Sequence, residues 1–239
     1  MLPALALFLA LQAGSPVPDL AKRAAAREAE SEAERANYAY RQTVIIEEMD
    51  SRGAKAGEYR EVRDIIFSPE KERTEKLIGK PRETLVRLRL TEEDFRDIRE
   101  VQPLLITSER LFLYQTRYRG EETIDGIDCW LLEVRPRQTL EGQRLFDGLI
   151  WVAKSDYSIV RTDGKAVPQI LSTKSENLFP SFTTFRRKMS SGHWFPVETL
   201  ADDVLPFRTG PLRIRMKILY SDYRRFGSES IIRFEEPRR

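Results

Sequence analysis

The sequence predicts an α+β fold: one extensively curved antiparallel sheet of about eleven strands with two helices on one side. Two observations lead there. Runs with an apolar period of two recur along most of the chain, separated by Gly, Pro, Asp and Ser clusters. Two stretches instead carry helix signals, and no internal repeat is present.

In chain order, Asp19 to Asn37 is rich in Ala, Glu and Arg and reads as a helix with Asp19 as its N-cap. Its apolar stripe is thin, so it either lies lightly on a sheet or protrudes. At Tyr38 the period becomes two, with Tyr38, Tyr40, Gln42, Val44 and Ile46 on one face and Ala39, Arg41, Thr43, Ile45 and Glu47 on the other. Ser51 to Gly57 reads as a turn, Tyr59 to Phe67 and Glu72 to Ile78 as strands, and Thr84 to Leu90 alternates as a further strand. Thr91 and Asp94 resemble a capping box, followed by Phe95, Ile98 and Val101 at helical spacing until Gln102-Pro103. Thr107 to Arg119 returns to strand, with Phe112, Tyr114, Thr116 and Tyr118 on one side.

The densest β signal runs from Thr123 to Lys165. Cys129 to Val134, Leu145 to Ala153 and Tyr157 to Arg161 are apolar runs, with Asp125-Gly126 and Asp163-Gly164 supplying the positive φ of tight turns. Leu145 to Val152 is apolar on both alternating faces, so both sides of that strand require cover. Val167 to Pro180 reads as a long loop. Phe182 to Met189 and His193 to Leu200 form a hairpin about Ser190-Ser191-Gly192, Leu212 to Tyr220 is a one-sided strand, and Glu229 to Phe234 a last one.

The first thirteen residues, MLPALALFLALQA, match a short secretory leader with a cut after Ala13. Residues 1–18 are therefore read as signal peptide and linker, residues 19–239 as one domain, and the periplasm as its location. That apolar run is too short to cross a bilayer as an ordinary helix. Forty basic against 38 acidic side chains leave a net charge of +2, no field for a polyanion, and nucleic acid is excluded as a partner. The alternating Arg213, Arg215 and Lys217 read as the wet face of a strand.

With one cysteine, Cys129, no intramolecular disulfide forms, and with one histidine, His193, neither a histidine triad nor a multi-histidine metal site can be built. Cys129 reads as a small core hydrophobe and His193 as a turn residue. The carboxylate clusters Glu47-Glu48, Glu92-Glu93-Asp94 and Asp202-Asp203 are neighbours in sequence, which in a strand point to opposite faces. No catalytic residue, metal or cofactor is expected.

Large apolar side chains are more plentiful than two light helices readily cover. Trp130, Trp151, Phe146, Leu149 and Trp194 stand out by size and strand placement as ligand-binding residues of an apolar cavity. Two arrangements accommodate that surplus: a hollow beneath the bent sheet, or a close-packed core.

Asp125-Gly126-Ile127-Asp128-Cys129-Trp130 leading to Arg135-Pro136, then Gly148-Leu149-Ile150-Trp151-Val152 and Ile159-Val160-Arg161, carry a family resemblance. With the leader, the N-terminal helix and the meandering strands, this order of parts resembles the outer-membrane lipoprotein-sorting superfamily of LolA-, LolB-, LppX- and RseB-like proteins. The region around Trp194-Phe195-Pro196 is similar to bacterial members known at superfamily level only, and the likeness spans roughly residues 19 to 236. It implies an incomplete β-barrel, helices on the concave side, and an apolar cavity for a lipid or lipoprotein acyl chain, without enzymatic activity. The expected function is an exported carrier or sensor. The alternative is a cell-envelope interaction module with a filled core, contacting a membrane-protein partner or the membrane surface.

Overall fold

The computed structural model describes residues 17–68, 70–100, 106–139, 144–171 and 176–226. Helix α1 (Leu20–Arg35) precedes strands β1 (Tyr38–Met49), β2 (Lys55–Phe67), β3 (Arg73–Leu77) and β4 (Arg82–Glu83). Helix α2 (Glu92–Glu100) and a 3-10 turn at Leu111–Leu113 lead to β5 (Tyr114–Ile124), β6 (Ile127–Pro136), β7 (Leu145–Ala153) and β8 (Ile159–Val167). Two short strands, β9 (Ile170–Leu171) and β10 (Glu176–Asn177), pair only with each other. β11 (Phe182–Lys188), β12 (Trp194–Leu205) and β13 (Leu212–Arg225) complete the described chain.

Eleven strands form one antiparallel sheet in the order β3-β2-β1-β13-β12-β11-β8-β7-β6-β5, with β4 beside β3 on β2. Its edges, β3 and β5, do not meet, so the curved sheet stays open. Register shifts at Ala39/Arg41, Glu48/Met49, Tyr118/Gly120, Trp151/Val152 and Phe185/Arg186 are the sites at which strands bend.

Period-two patterning decides which face is buried. On β13, Leu212, Ile214, Met216, Ile218 and Tyr220 are buried while Arg213, Arg215 and Lys217 are exposed. β13 meets β1 through Val44↔Ile218 and Ile46↔Met216, joining the first and last described strands into one apolar surface. Trp130, Leu132 and Val134 of β6 and Phe146, Ile150 and Val152 of β7 continue that main core. Helix α2 packs on this inner face through Ile98 and through Phe95, whose ring lies 5.7 Å from Tyr59.

Helix α1 lies on the same face, burying Leu20, Ala24 and Ala25, but also Glu28, Ser31 and Arg35. Its seat is partly ionic: the Arg186 guanidinium donates to Glu28 Oε2 at 2.6 Å, both side chains almost fully buried. Burial raises the Glu28 carboxyl above its ordinary value, and Arg186 pulls it down. Beneath the helix, Thr184, Thr199, Tyr220 and Gln42 are buried as a polar layer, with Thr184 Oγ1 2.9 Å from Thr199 Oγ1.

Several expectations change. Asp19 does not cap α1: its φ is 57° and it makes no side-chain cap bond, its carboxylate sitting 2.9 Å from Lys22 Nζ instead. The capping box of α2 does form, Thr91 N–H donating to Asp94 Oδ2 at 2.7 Å and Asp94 N–H to Thr91 Oγ1 at 3.3 Å. Asp125-Gly126 is the β5–β6 turn, with φ of 50° and 77°. Asp163-Gly164 is no turn but lies inside β8, where Gly164 faces Gly148 of β7. Thr84 to Leu90 is not a strand; only Arg82–Glu83 pairs with β2, because the following amides turn to a carboxylate described below. Thr107 to Leu113 is likewise not extended, and Phe112 is 71% exposed. Within the expected Val167 to Pro180 loop, Ile170–Leu171 pairs with Glu176–Asn177, and residues 172–175 lie outside the described residues. The leader and the strand over Glu229 to Phe234 lie outside the described residues.

Candidate functional site

Most of the inner face is filled: Val44, Ile65, Val134, Phe146, Val152 and Ile218 have no exposed surface. Among the described residues, a hollow on this face is lined by Ile46, Leu88, Leu90, Phe179, Ile214 and Met216, with Asp94 beside them, and has a volume of about 20 Å³. That is room for a single water-sized molecule. Its floor is β1 and β13. Its roof is made of segments outside the sheet ladder: Leu88 and Leu90 before α2, and Leu178 to Pro180 before β11.

The roof segment Thr84–Leu90 is fastened by one buried side chain. Glu48, 2% exposed, accepts three successive backbone amides: Val86 N–H at 3.1 Å, Arg87 N–H at 2.9 Å and Leu88 N–H at 3.0 Å. Consecutive amides converging on one anion form a nest, in which N–H dipoles offset a charge that burial would otherwise penalise. The Arg87 guanidinium separately donates to the carbonyls of Thr209, Gly210 and Pro211 in the β12–β13 hairpin. Helix α2 is tied down by Asp97, whose carboxylate takes two bonds from Arg144, at 3.1 and 2.5 Å. Arg144 also donates to Pro168 O at 2.6 Å. Burial pushes the Asp97 carboxyl up to about 7 against the pull of Arg144.

The structure divides the five sequence-derived residues between two faces. Phe146 and Trp130 are in the main inner core, Phe146 6.0 Å from Phe182 and Trp130 stacked 5.4 Å from Tyr157. Leu149, Trp151 and Trp194 are on the opposite face, in a second cluster with Cys129, Ala153 and Val160. Trp151 Nε1 donates to Glu122 at 2.8 Å and the Arg161 guanidinium covers its ring at 4.6 Å, which explains how an outer-face cluster is shielded. None of the five lines the small hollow. Strand alternation placed Ile46, Ile214 and Met216 on one face, and so made these floor residues findable. Leu88 and Leu90 were hidden by their strand-like pattern.

The outer face also carries two open grooves of about 520 Å³ each, meeting at Asp163 and Ser181. One lies where β11 begins at Phe182, so that β12 beyond Leu200 has no β11 neighbour; the other lies over β6, β7 and β8, where Gly148 and Gly164 carry no side chain. One groove has Ile45 and Leu200 among its walls with Asp202, Arg215 and Lys217 around them; the other is set among Arg119, Glu133, Arg135 and Asp147.

The sequence-adjacent carboxylates do not converge. Asp202 accepts from Arg213 and Arg215, which hold its carboxyl below the usual range, while Asp203 accepts the Ser181 N–H at 3.0 Å. Glu47 lies 3.3 Å from Lys55 and Glu48 turns to the nest. Among the described residues no group of three His, Cys, Asp or Glu side chains is placed to hold a metal ion. Cys129 has no exposed surface, and burial pushes its thiol up to about 11. His193 follows the β11–β12 turn and takes Arg27 at 3.2 Å through Nε2.

No family model matches the chain, and no curated protein does. In solved structures it is similar to a DUF1329 family protein from Desulfovibrio piger, at 18% identity over 89% of this chain and 92% of that one, with a TM-score of 0.40. It is also similar to a LolA superfamily protein from Nitrosomonas europaea, at 15% identity over 83% and 94%, with a TM-score of 0.34. A third similar structure is the MucA/MucB complex of Pseudomonas aeruginosa, at 11% identity over 88% and 100%, with a TM-score of 0.26.

Proposed function

We propose that the chain is an exported, non-enzymatic binding protein of the cell envelope that takes the acyl chain of a lipid or lipoprotein beneath the roof of its inner face. The observation that carries this reading is the position of the small hollow: it lies where apolar strands are covered by segments outside the sheet rather than by the sheet itself. The leader-like N-terminus and the superfamily resemblance support export and an acyl ligand. No helix among the described residues is long and apolar enough to cross a membrane.

At about 20 Å³ the hollow admits no acyl chain, so binding requires the roof to withdraw. Withdrawal exposes Leu88, Leu90 and Phe179, at about 1.5–3 kcal/mol for each large apolar side chain. Burying about fourteen methylenes returns roughly 11 kcal/mol at 0.8 kcal/mol each. The exchange is favourable before association costs of about 4 kcal/mol or more are counted, so uptake turns on how little the roof costs to open. Organic extraction of the purified protein should release lipid, and a fluorescent fatty acid should bind saturably. Neither lipid nor saturable uptake would remove the carrier reading.

A second reading rests on a different observation, the two outer-face grooves, each of about 520 Å³ and open without rearrangement. Under it the core stays filled and an envelope membrane protein docks across Leu200, Asp202 and Lys217. In-cell crosslinking from Leu200 that captured one dominant protein, with no lipid in the extract, would favour this module over the carrier.

A further inference from the structure

We propose that the amides of Val86, Arg87 and Leu88 are an anion site, filled in this structure by Glu48, which receives the carboxylate head of a single-chain amphiphile whose tail enters the adjoining hollow. The proposal rests on the carrier reading and narrows its ligand to one bearing a free carboxylate.

Glu48 follows Ile46 on the same face of β1, so its carboxylate sits at the end of the apolar floor. Leu88 belongs to both parts: its N–H completes the nest and its side chain lines the hollow. Head site and tail site are therefore continuous. The partners of Glu48 are amides, which donate only, so an anion fits and a cation does not. Any carboxylate presented at the same place can make the same bonds. One attached to an alkyl tail is held beside the nest by the burial of that tail, and so competes with Glu48 for the amides.

The strap has the anchorage such an exchange needs. Arg87 holds the β12–β13 hairpin through three carbonyls, independently of Glu48, so losing the carboxylate frees the nest without detaching the strap. Val86 between them is 61% exposed, leaving the outer side of the strap uncovered. An alcohol with the same tail gains the burial but leaves the nest to Glu48.

Calorimetric titration of the full chain with dodecanoate and with dodecan-1-ol, below their aggregation limits, tests head and tail separately. In the wild type, where the acid's head would only take over bonds that Glu48 already makes, acid and alcohol should bind about equally. In Glu48→Ala, which has lost the internal competitor, the acid should bind more tightly than the alcohol by about tenfold, the worth of hydrogen bonds to a charged group, and in Glu48→Gln, which keeps a neutral acceptor, by less. Acetate, which has no tail to speak of, should raise the melting temperature of Glu48→Ala more than that of the wild type. Equal binding of acid and alcohol in every protein, with no selective effect of acetate, overturns the anion site and leaves the carrier reading standing. Binding of neither amphiphile overturns both. Should Glu48→Ala not fold, the acid-to-alcohol ratio of Glu48→Gln decides alone, and a ratio no greater than that of the wild type overturns the proposal.

Discussion

Gly148 and Gly164 face each other across β7 and β8 with the Phe146 ring lying on both. A Cβ added at Gly164 would stand 2.7 Å from Phe146 Cζ and 2.8 Å from Gly148 Cα, and would also strike the Asp147 carbonyl. Backbone cannot step aside as a flexible side chain can. Gly164→Ala should therefore lower stability by about 1–3 kcal/mol, the usual cost of overpacking, read as a lower urea midpoint. An unchanged midpoint would mean that Phe146 is not seated on these glycines. In the sequence Asp163-Gly164 looked like a turn, since a dipeptide carries no sign of whether its glycine serves positive φ or close approach. Glu48 was more legible. It continues the Tyr38-to-Ile46 face, so a carboxylate at a core position was visible in the alternation, although its amide partners were not.

At the scale of elements, α1 is the least conventional. Its thin alanine stripe was plain in the sequence, and a helix with so little apolar surface needs another hold. Glu28 and Arg186 provide it from elements far apart in the chain, which no local pattern reveals. Arg186→Ala should destabilise the protein by about 3–5 kcal/mol, because it strands a buried carboxylate. The double replacement Glu28→Leu with Arg186→Met should recover most of that loss in chemical denaturation, since an apolar pair of similar volume removes both desolvation costs. If single and double variants were equally unstable, the ion pair would not be what seats the helix. Thr84 to Leu90 illustrates the opposite failure of local reading. Its sequence alternates Val86, Leu88 and Leu90 with Arg87 and Arg89, but burial does not follow: Leu85 and Leu88 are buried, Val86 is exposed, and the hydrogen bonds go to a side chain rather than to a strand.

For the molecule as a whole, cohesion is unevenly distributed: the sheet centre is held by continuous ladders, the roof by Glu48, Arg87 and the Asp97–Arg144 pair. Amide hydrogen exchange should accordingly be fastest over residues 84–100 and slowest in β7, β8 and β13. Equal protection of roof and sheet centre would mean that the roof opens only on global unfolding, and the carrier reading would lose its entry route. Apolar alternation and turn residues by themselves determined the α+β class, about eleven strands and the buried face of most of them, because strand periodicity is a property of neighbouring residues. Whether the surplus of large side chains encloses a cavity or fills it was decided only in three dimensions. Trp130 and Phe146 turn inward while Leu149, Trp151 and Trp194 lie on the far side, where Glu122 and Arg161 cover Trp151. Packing depends on which distant side chains meet, and that is settled by tertiary contacts rather than by the order of residues along any one strand.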